Sequence, residues 1–155
     1  MREILSYLLG RRCFLPSVTE VYDMGVVEKT IVNGSHLQIL ELTVETLEYW
    51  NVSASSICRI LCLGVHELAG GHSKADGIDD SCVLTTEQLE RSRLVLELRI
   101  IINATFENPA NRRRFIHMAI PLFSRRTFLD MLENDGTNAL RKAVSQLGAQ
   151  SRWIW

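Results

Sequence analysis

The densest set of metal- and thiol-chemistry residues runs through Cys58, Cys62 and His66, at i, i+4 and i+8 of a helical pattern and so on one face. Zinc needs such ligands to converge and close a tetrahedron, which His72 or Cys82 could complete across a loop. The stronger reading is a core stripe of Cys and His beside Leu61 and Val65, so no metal is expected. The segment from His66 to His72 places its histidines six apart around Gly70-Gly71, where a zincin needs them four apart on one helical face. Asp76, Asp79 and Asp80 lack the spacing and terminal Glu of a calcium loop. No Ser, His and Asp set sits in a Gly-rich elbow, and no phosphate-cradling glycine loop precedes a helix. The sequence predicts neither an enzyme nor a cofactor.

What remains is chemistry of recognition. Arg112, Arg113, Arg114, His117, Arg125 and Arg126 concentrate positive charge in two adjacent short segments. They are either a solvated face or a site for an acidic peptide, a phosphate or a nucleic-acid backbone. No aromatic interleaves with them on an exposed face, which argues against base stacking. Glu41, Glu45 and Glu48 form a complementary acidic stripe, the wet side of an amphipathic helix or the lining of a groove for a basic segment. The final Arg152-Trp153-Ile154-Trp155 brings Trp153 and Trp155 together, aromatic residues that either cap the last helices or anchor a partner.

The elements that position these groups read almost entirely as helix. The pattern predicts short helices over Arg2–Leu9 and from Pro16 toward Met24, with Gly25 separating Val26–Val32. Asn33-Gly34 breaks the chain because both residues tolerate positive φ. Ser35 then caps a long helix to Trp50 whose Leu37, Leu40, Val44 and Leu47 form an apolar seam. Ser53, Ser55 and Ser56 cap Ile57–Ala69, and a polar loop follows at about 70–84. Thr85 and Gln88 make a capping-box signature for a helix to about Phe106, carrying Leu89, Leu96 and Ile100 with Leu94, Leu98 and Ile101. Asn108-Pro109 restarts a helix to about His117, and Ile120-Pro121 begins another through Leu132. Thr137 caps a last helix of Ala139, Leu140, Ala143, Val144 and Leu147, stopped by Gly148.

Composition sets the frame. The 155 residues, 46% hydrophobic and 23% charged, suit one ordinary globular domain spanning 1–155. A net charge of -1 offers no global field for nucleic acid or an anionic membrane. No apolar run approaches the roughly 18 residues a membrane span needs. Met1 to Leu9 lacks the pattern of a secretory leader, so an intracellular protein with four reduced cysteines is expected, and the three Asn-X-Ser/Thr sequons are read as cap chemistry and chance.

Two segments look alike: Met24-Gly25-Val26-Val27-Glu28-Lys29 before the Asn33-Gly34 turn, and Ala119-Ile120-Pro121-Leu122 before the turn at Asn134-Asp135-Gly136. Their separation is about two repeats of the roughly 40–47-residue class. Between them, Leu98-Arg-Ile-Ile-Ile-Asn103 followed by Glu107-Asn108-Pro-Ala-Asn111-Arg112 resembles the leucine, asparagine and Glu-Asn-Arg passage of armadillo repeats. The resemblance implies an asparagine of a third helix, Asn103, projecting onto a concave face, with Asn111-Arg112 opening a first helix and Ile120-Pro121 a second. It covers about two-thirds of the chain. Ala119 stands where the family usually has Gly, and the paired Trp and Asn spacing of nuclear-import receptors is missing around Trp50. Recognition of nuclear signals is therefore not implied. A weaker likeness joins Phe14-Leu-Pro-Ser-Val18, Cys58-Arg-Ile-Leu-Cys-Leu-Gly64 and Phe123–Leu132 to hepadnavirus core proteins, which are helical and build shells.

The expectation is an all-α fold, an irregular armadillo/HEAT-like solenoid fragment or a compact orthogonal bundle. Its expected role is a scaffold or adaptor presenting helical faces to a peptide or another protein, with self-assembly as a viral capsid-type subunit as the alternative. The residues expected to carry binding are Glu41, Glu45, Glu48, Asn103, Arg113, Arg114, Arg125, Arg126, Trp153 and Trp155.

Overall fold

The computed structural model describes residues 24–63 and 84–151, which form seven α-helices and one 3-10 turn. Among the described residues no β-strand occurs, and a single antiparallel bridge joins Ile120 to Arg126. The helices expected before Met24, the loop at about 70–84 apart from Leu84, and the tail from Arg152 lie outside the described residues.

Local chemistry explains most helix starts. α1 spans Met24–Asn33. It takes Gly25 into its first turn rather than starting after it, because amide groups there lack intrahelical partners and a glycine costs little. Gly34 closes it: its N–H reaches Thr30 O at 2.9 Å, and a Cβ at Gly34 would sit 2.5 Å from that oxygen. α2, His36–Tyr49, opens on a reciprocal capping box between Ser35 and Gln38. α3 is Ala54–Ile60, capped by Ser53. α4, Thr86–Thr105, opens on the second capping box, Thr85 with Gln88. α5, Pro109–Phe115, has Asn108 as its cap and proline at its first position.

Two helix ends share one geometry. After α2, Val52 N–H bonds to Leu47 O and Asn51 N–H to Glu48 O, with Asn51 at φ 58°. After α3, Leu63 N–H bonds to Cys58 O and Cys62 N–H to Arg59 O, with Cys62 at φ 52°. Both are Schellman closures. The second ends α3 well short of the expected Ala69, so Cys58 and Cys62 do not share a helical face.

The helix expected from Pro121 through Leu132 is likewise divided. Pro121–Phe123 is a 3-10 turn, and Ser124 and Arg125 both take left-handed backbone at φ 56° and 62°. The chain thereby doubles back, Arg125 N–H reaching Ile120 O at 3.0 Å and Ile120 N–H reaching Arg126 O at 3.0 Å. α6 then runs Phe128–Asn134 from a Thr127 cap, and α7 runs Thr137–Ser151. Gly148 does not stop α7. It lets the helix approach α4, where a Cβ at Gly148 would lie 3.3 Å from Ile101 Cδ1.

α4 is the centre: it packs against α1, α2, α5 and α7, while α3 packs against α6. Its buried residues include Arg91, Ser92, Leu94, Val95, Leu96, Leu98, Arg99 and Ile102, which cover most of the helix circumference. Of the expected seam of α2, Leu40, Val44 and Leu47 are buried and Leu37 is half-buried. In α7, Leu140, Ala143 and Val144 are buried, whereas Ala139 faces out. A smaller cluster of Val27, Ile39, Leu42 and Leu96 ties α1 to α2 and α4. No helix among the described residues is long and apolar enough to cross a membrane.

Candidate functional site

The cationic residues divide by what the backbone does around them. Arg112 turns inward, its Nε donating to Phe106 O at 2.6 Å. Arg126 is held by two carboxylates: Nε donates to Asp130 at 2.6 Å, and the two terminal nitrogens donate to Asp135 at 3.0 and 2.8 Å. Arg126 and Asn134 together hold the Asp130 carboxyl below its ordinary value. The left-handed pair Ser124-Arg125 brings Arg126 into this arrangement, so the structure gives Arg126 an intramolecular partner set rather than a free face. Arg125 is exposed beside it.

That pairing has a pH signature. The lowered Asp130 favours the folded state above the ordinary carboxylate value of 3.8, and the benefit disappears as pH falls through the folded value. Arg126→Gln is expected to remove that part of the acid sensitivity: wild type and variant converge in melting temperature below pH 3.8 and separate above it. Circular dichroism melts at a series of pH values read this directly, and a gap of constant size across the series would contradict it.

Arg113, Arg114 and His117 gather on the last turn of α5 and the residues after it. Together with Asn51, Ala110 and Met118 they line a pocket of about 420 Å³. Arg113 lays its guanidinium over the Tyr49 ring, Cζ 5.6 Å from the centroid, a cation–π contact. His117 Nε2 lies 2.7 Å from Trp50 O. A carbonyl only accepts, so Nε2 carries the hydrogen. Asn51 reaches the pocket from the left-handed turn between α2 and α3. His117 was within the cationic run the sequence displayed, but Asn51 and Met118 were not marked by it.

A second concavity runs between α4 and α7. Ile100, Ile101, Ala104, Val144, Gly148 and Ala149 form its apolar part, and Glu97, Arg141 and Ser145 its polar edge, around a volume of about 590 Å³. Burial pushes the Glu97 carboxyl above its ordinary value, against the opposing charge of Arg93. Arg141 is paired with Glu90. Nothing in the sequence flagged this groove. Its only written trace is the set of small residues, Ala104, Gly148 and Ala149, which leave room between two helices.

The acidic stripe is less wet than its spacing suggested. Glu41, Glu45 and Glu48 are each half-buried. Burial, with the neighbouring Glu45 charge, raises the Glu48 carboxyl, and Glu48 Oε1 is enclosed with no hydrogen-bond partner among the described residues. Asn103 is half-buried on α4, and Trp153 and Trp155 fall outside the described residues.

Cys58 donates to Ala54 O at 3.0 Å and burial pushes its thiol up, which lowers its thiolate fraction. Among the described residues no group of three or more His, Cys, Asp or Glu side chains converges on a common point. No protein-family model, curated protein or solved structure matches this chain.

Proposed function

We propose that the chain is a non-enzymatic interaction module, and that the groove between α4 and α7 receives a helical or extended segment of another protein. The observation that carries this is an apolar trough between two long helices, edged by Glu97 and Arg141. Apolar grooves with a polar rim suit amphipathic segments, which bury one face and pair their charges along the edge.

The finer architecture belongs to the same proposal. α4 packs against both α2 and α7, and α5, α6 and α7 follow one another as short, short and long helices. Successive long helices stacked beside one another are what an armadillo/HEAT-type arrangement requires. In that arrangement the groove is the notch between two successive third helices. A compact bundle places the groove in the same position, so the binding proposal holds for either.

The test uses a displayed peptide library selected on the intact chain. Ala104 and Ser145 are exposed groove residues, so Ala104→Arg and Ser145→Arg obstruct the trough without touching the core. Selected peptides are expected to bind each variant about ten-fold more weakly, a loss of roughly 1.4 kcal/mol. Equal binding to wild type and both variants rejects the groove. The competing proposal, self-assembly, draws on the exposure of Val32 at 73% and Met118 at 53%. A very large particle by light scattering, disrupted by Val32→Asp, would favour it over a module for other proteins.

A further inference from the structure

The pocket made by Arg113, Arg114, His117 and Asn51 is built differently from the rest of the cationic surface. The side chains of Arg113 and His117 and the backbone of Asn51 are held in place by contacts beneath them, while Arg114 is exposed. Arg113 rests on Tyr49, whose hydroxyl lies 3.5 Å from Pro109 O. His117 is fixed to the Trp50 carbonyl, and Asn51 is set by the α2 closure, where Asn51 N–H meets Glu48 O at 2.9 Å. Fixing such groups beforehand lowers the ordering cost of a bound partner. Among the described residues no carboxylate lines the pocket. An apolar edge lies beside it: Met118 is 53% exposed, and Leu122, on the following 3-10 turn, 45%.

We propose that this pocket docks an acidic segment of a partner protein, with carboxylates on Arg113 and Arg114 and an adjacent apolar side chain over Met118. Charge complementarity selects the acidic groups, and the exposed methionine selects a greasy neighbour, since Met packs against varied apolar shapes. A nucleic-acid backbone fits less well because it requires a stripe of cations along its path. Here Arg112 is turned to Phe106 O and Arg126 is neutralised by Asp130 and Asp135. The Tyr49 face that a base could stack on is already covered by Arg113. This deepens the interaction-module reading but uses a surface separate from the α4–α7 groove, so either can fail while the other stands.

The test is fluorescence anisotropy with a labelled peptide of alternating glutamate, aspartate and leucine, on the full chain. Arg113→Glu/Arg114→Glu is expected to weaken binding at least about ten-fold, because reversing a rim charge both removes attraction and adds repulsion. Lys29→Glu/Lys142→Glu makes the same change in net charge at exposed sites on α1 and α7. It is expected to stay within about two-fold of wild type. Because Arg113 packs on Tyr49, Arg114→Gln serves as the second variant and should weaken binding with an unaltered melting curve. Equal loss in both double variants reduces the effect to net charge and overturns the proposal. So does undiminished binding of the same peptide with Gln and Asn for Glu and Asp. Preference for a single-stranded oligonucleotide of equal charge, with the same sensitivity to Arg113→Glu/Arg114→Glu, overturns it in favour of nucleic acid.

Discussion

Replacing Arg91 with methionine is expected to destabilise the fold by about 3–5 kcal/mol, because it leaves three backbone carbonyls unsatisfied at roughly 1–3 kcal/mol each. Arg91 is only 4% exposed. Its Nε donates to Ile60 O at 2.5 Å, one terminal nitrogen donates to Asp135 O at 3.0 Å, and the other to Leu132 O. Those carbonyls belong to the ends of α3 and α6, where a helix leaves acceptors without intrahelical partners. One planar fork on α4 thus satisfies two helix C-termini, whose partial negative charge favours a cation. Methionine matches only the aliphatic stem of arginine and leaves three carbonyls facing an apolar side chain. At about 2–4 °C per kcal/mol for a chain of this size, the melting temperature should fall by roughly 10 °C. Lysine keeps the charge but has no fork to reach both helix ends, so Arg91→Lys should fall between wild type and Arg91→Met. Urea unfolding followed by circular dichroism measures all three. A cost below about 1 kcal/mol for Arg91→Met, within the spread of surface substitutions, would mean water serves those carbonyls instead.

Arg91 also shows where sequence reading stopped. In the run Leu89-Glu-Arg-Ser-Arg-Leu-Val-Leu-Glu-Leu-Arg99 the charged residues look like an outward face. The two sets of apolar residues in this helix fall on different sides of it, and α4 is central. What could not be read was that Arg91 and Arg99 are buried with them. Their acceptors, Ile60 O and Leu132 O for Arg91 and Thr46 Oγ1 for Arg99, lie 31, 41 and 53 positions away in the chain. No local pattern encodes such a partner.

Three helix starts, by contrast, were legible because their determinants are local. Ser35 with Gln38, Thr85 with Gln88, and Asn108 with Pro109 act over three residues or fewer, through side-chain bonds to nearby amides. Ends were legible only where residue type announced them. Asn51 and Cys62 terminate α2 and α3 by the same left-handed closure, but only asparagine is a habitual occupant of that backbone region. Ser124 and Arg125 broke the expected Pro121–Leu132 helix for the same reason, since both take left-handed backbone that their side chains do not prefer. The binding surfaces follow this division. Arg113 and Arg114 stood out as a charge run, whereas Asn51 and the α4–α7 groove arise from segments brought together by packing.

Phe128→Ala carries the other large expected effect, about 3–5 kcal/mol of lost stability, as for large aromatic truncations in cores. Phe128 is fully buried at the meeting of α5, α6 and the 3-10 turn. Its ring lies edge-on to Phe123 at 5.3 Å and tilted against Phe115 at 5.9 Å, and Phe115 continues to Phe106 at 5.3 Å. Beside it, Leu129 N–H bonds to Ile116 O at 3.0 Å, so ring packing and a backbone bond act on the same junction. Alanine removes the transfer term and leaves a cavity that adds to the cost. Phe128→Leu retains most of the volume and loses the edge-on contact, for an expected cost of roughly 1–2 kcal/mol. The ordering Ala well below Leu, and Leu below wild type, is the outcome that packing predicts in denaturant titrations. Equal losses for Ala and Leu would assign the cost to the aromatic contacts rather than the cavity. Because α5 carries Arg113 and Arg114, Phe128→Ala should also weaken acidic-peptide binding below its unfolding midpoint, and Phe128→Leu should largely spare it. A loosened junction that left the pocket's affinity intact would show that Tyr49 and the Trp50 carbonyl position those side chains without help from the aromatic cluster.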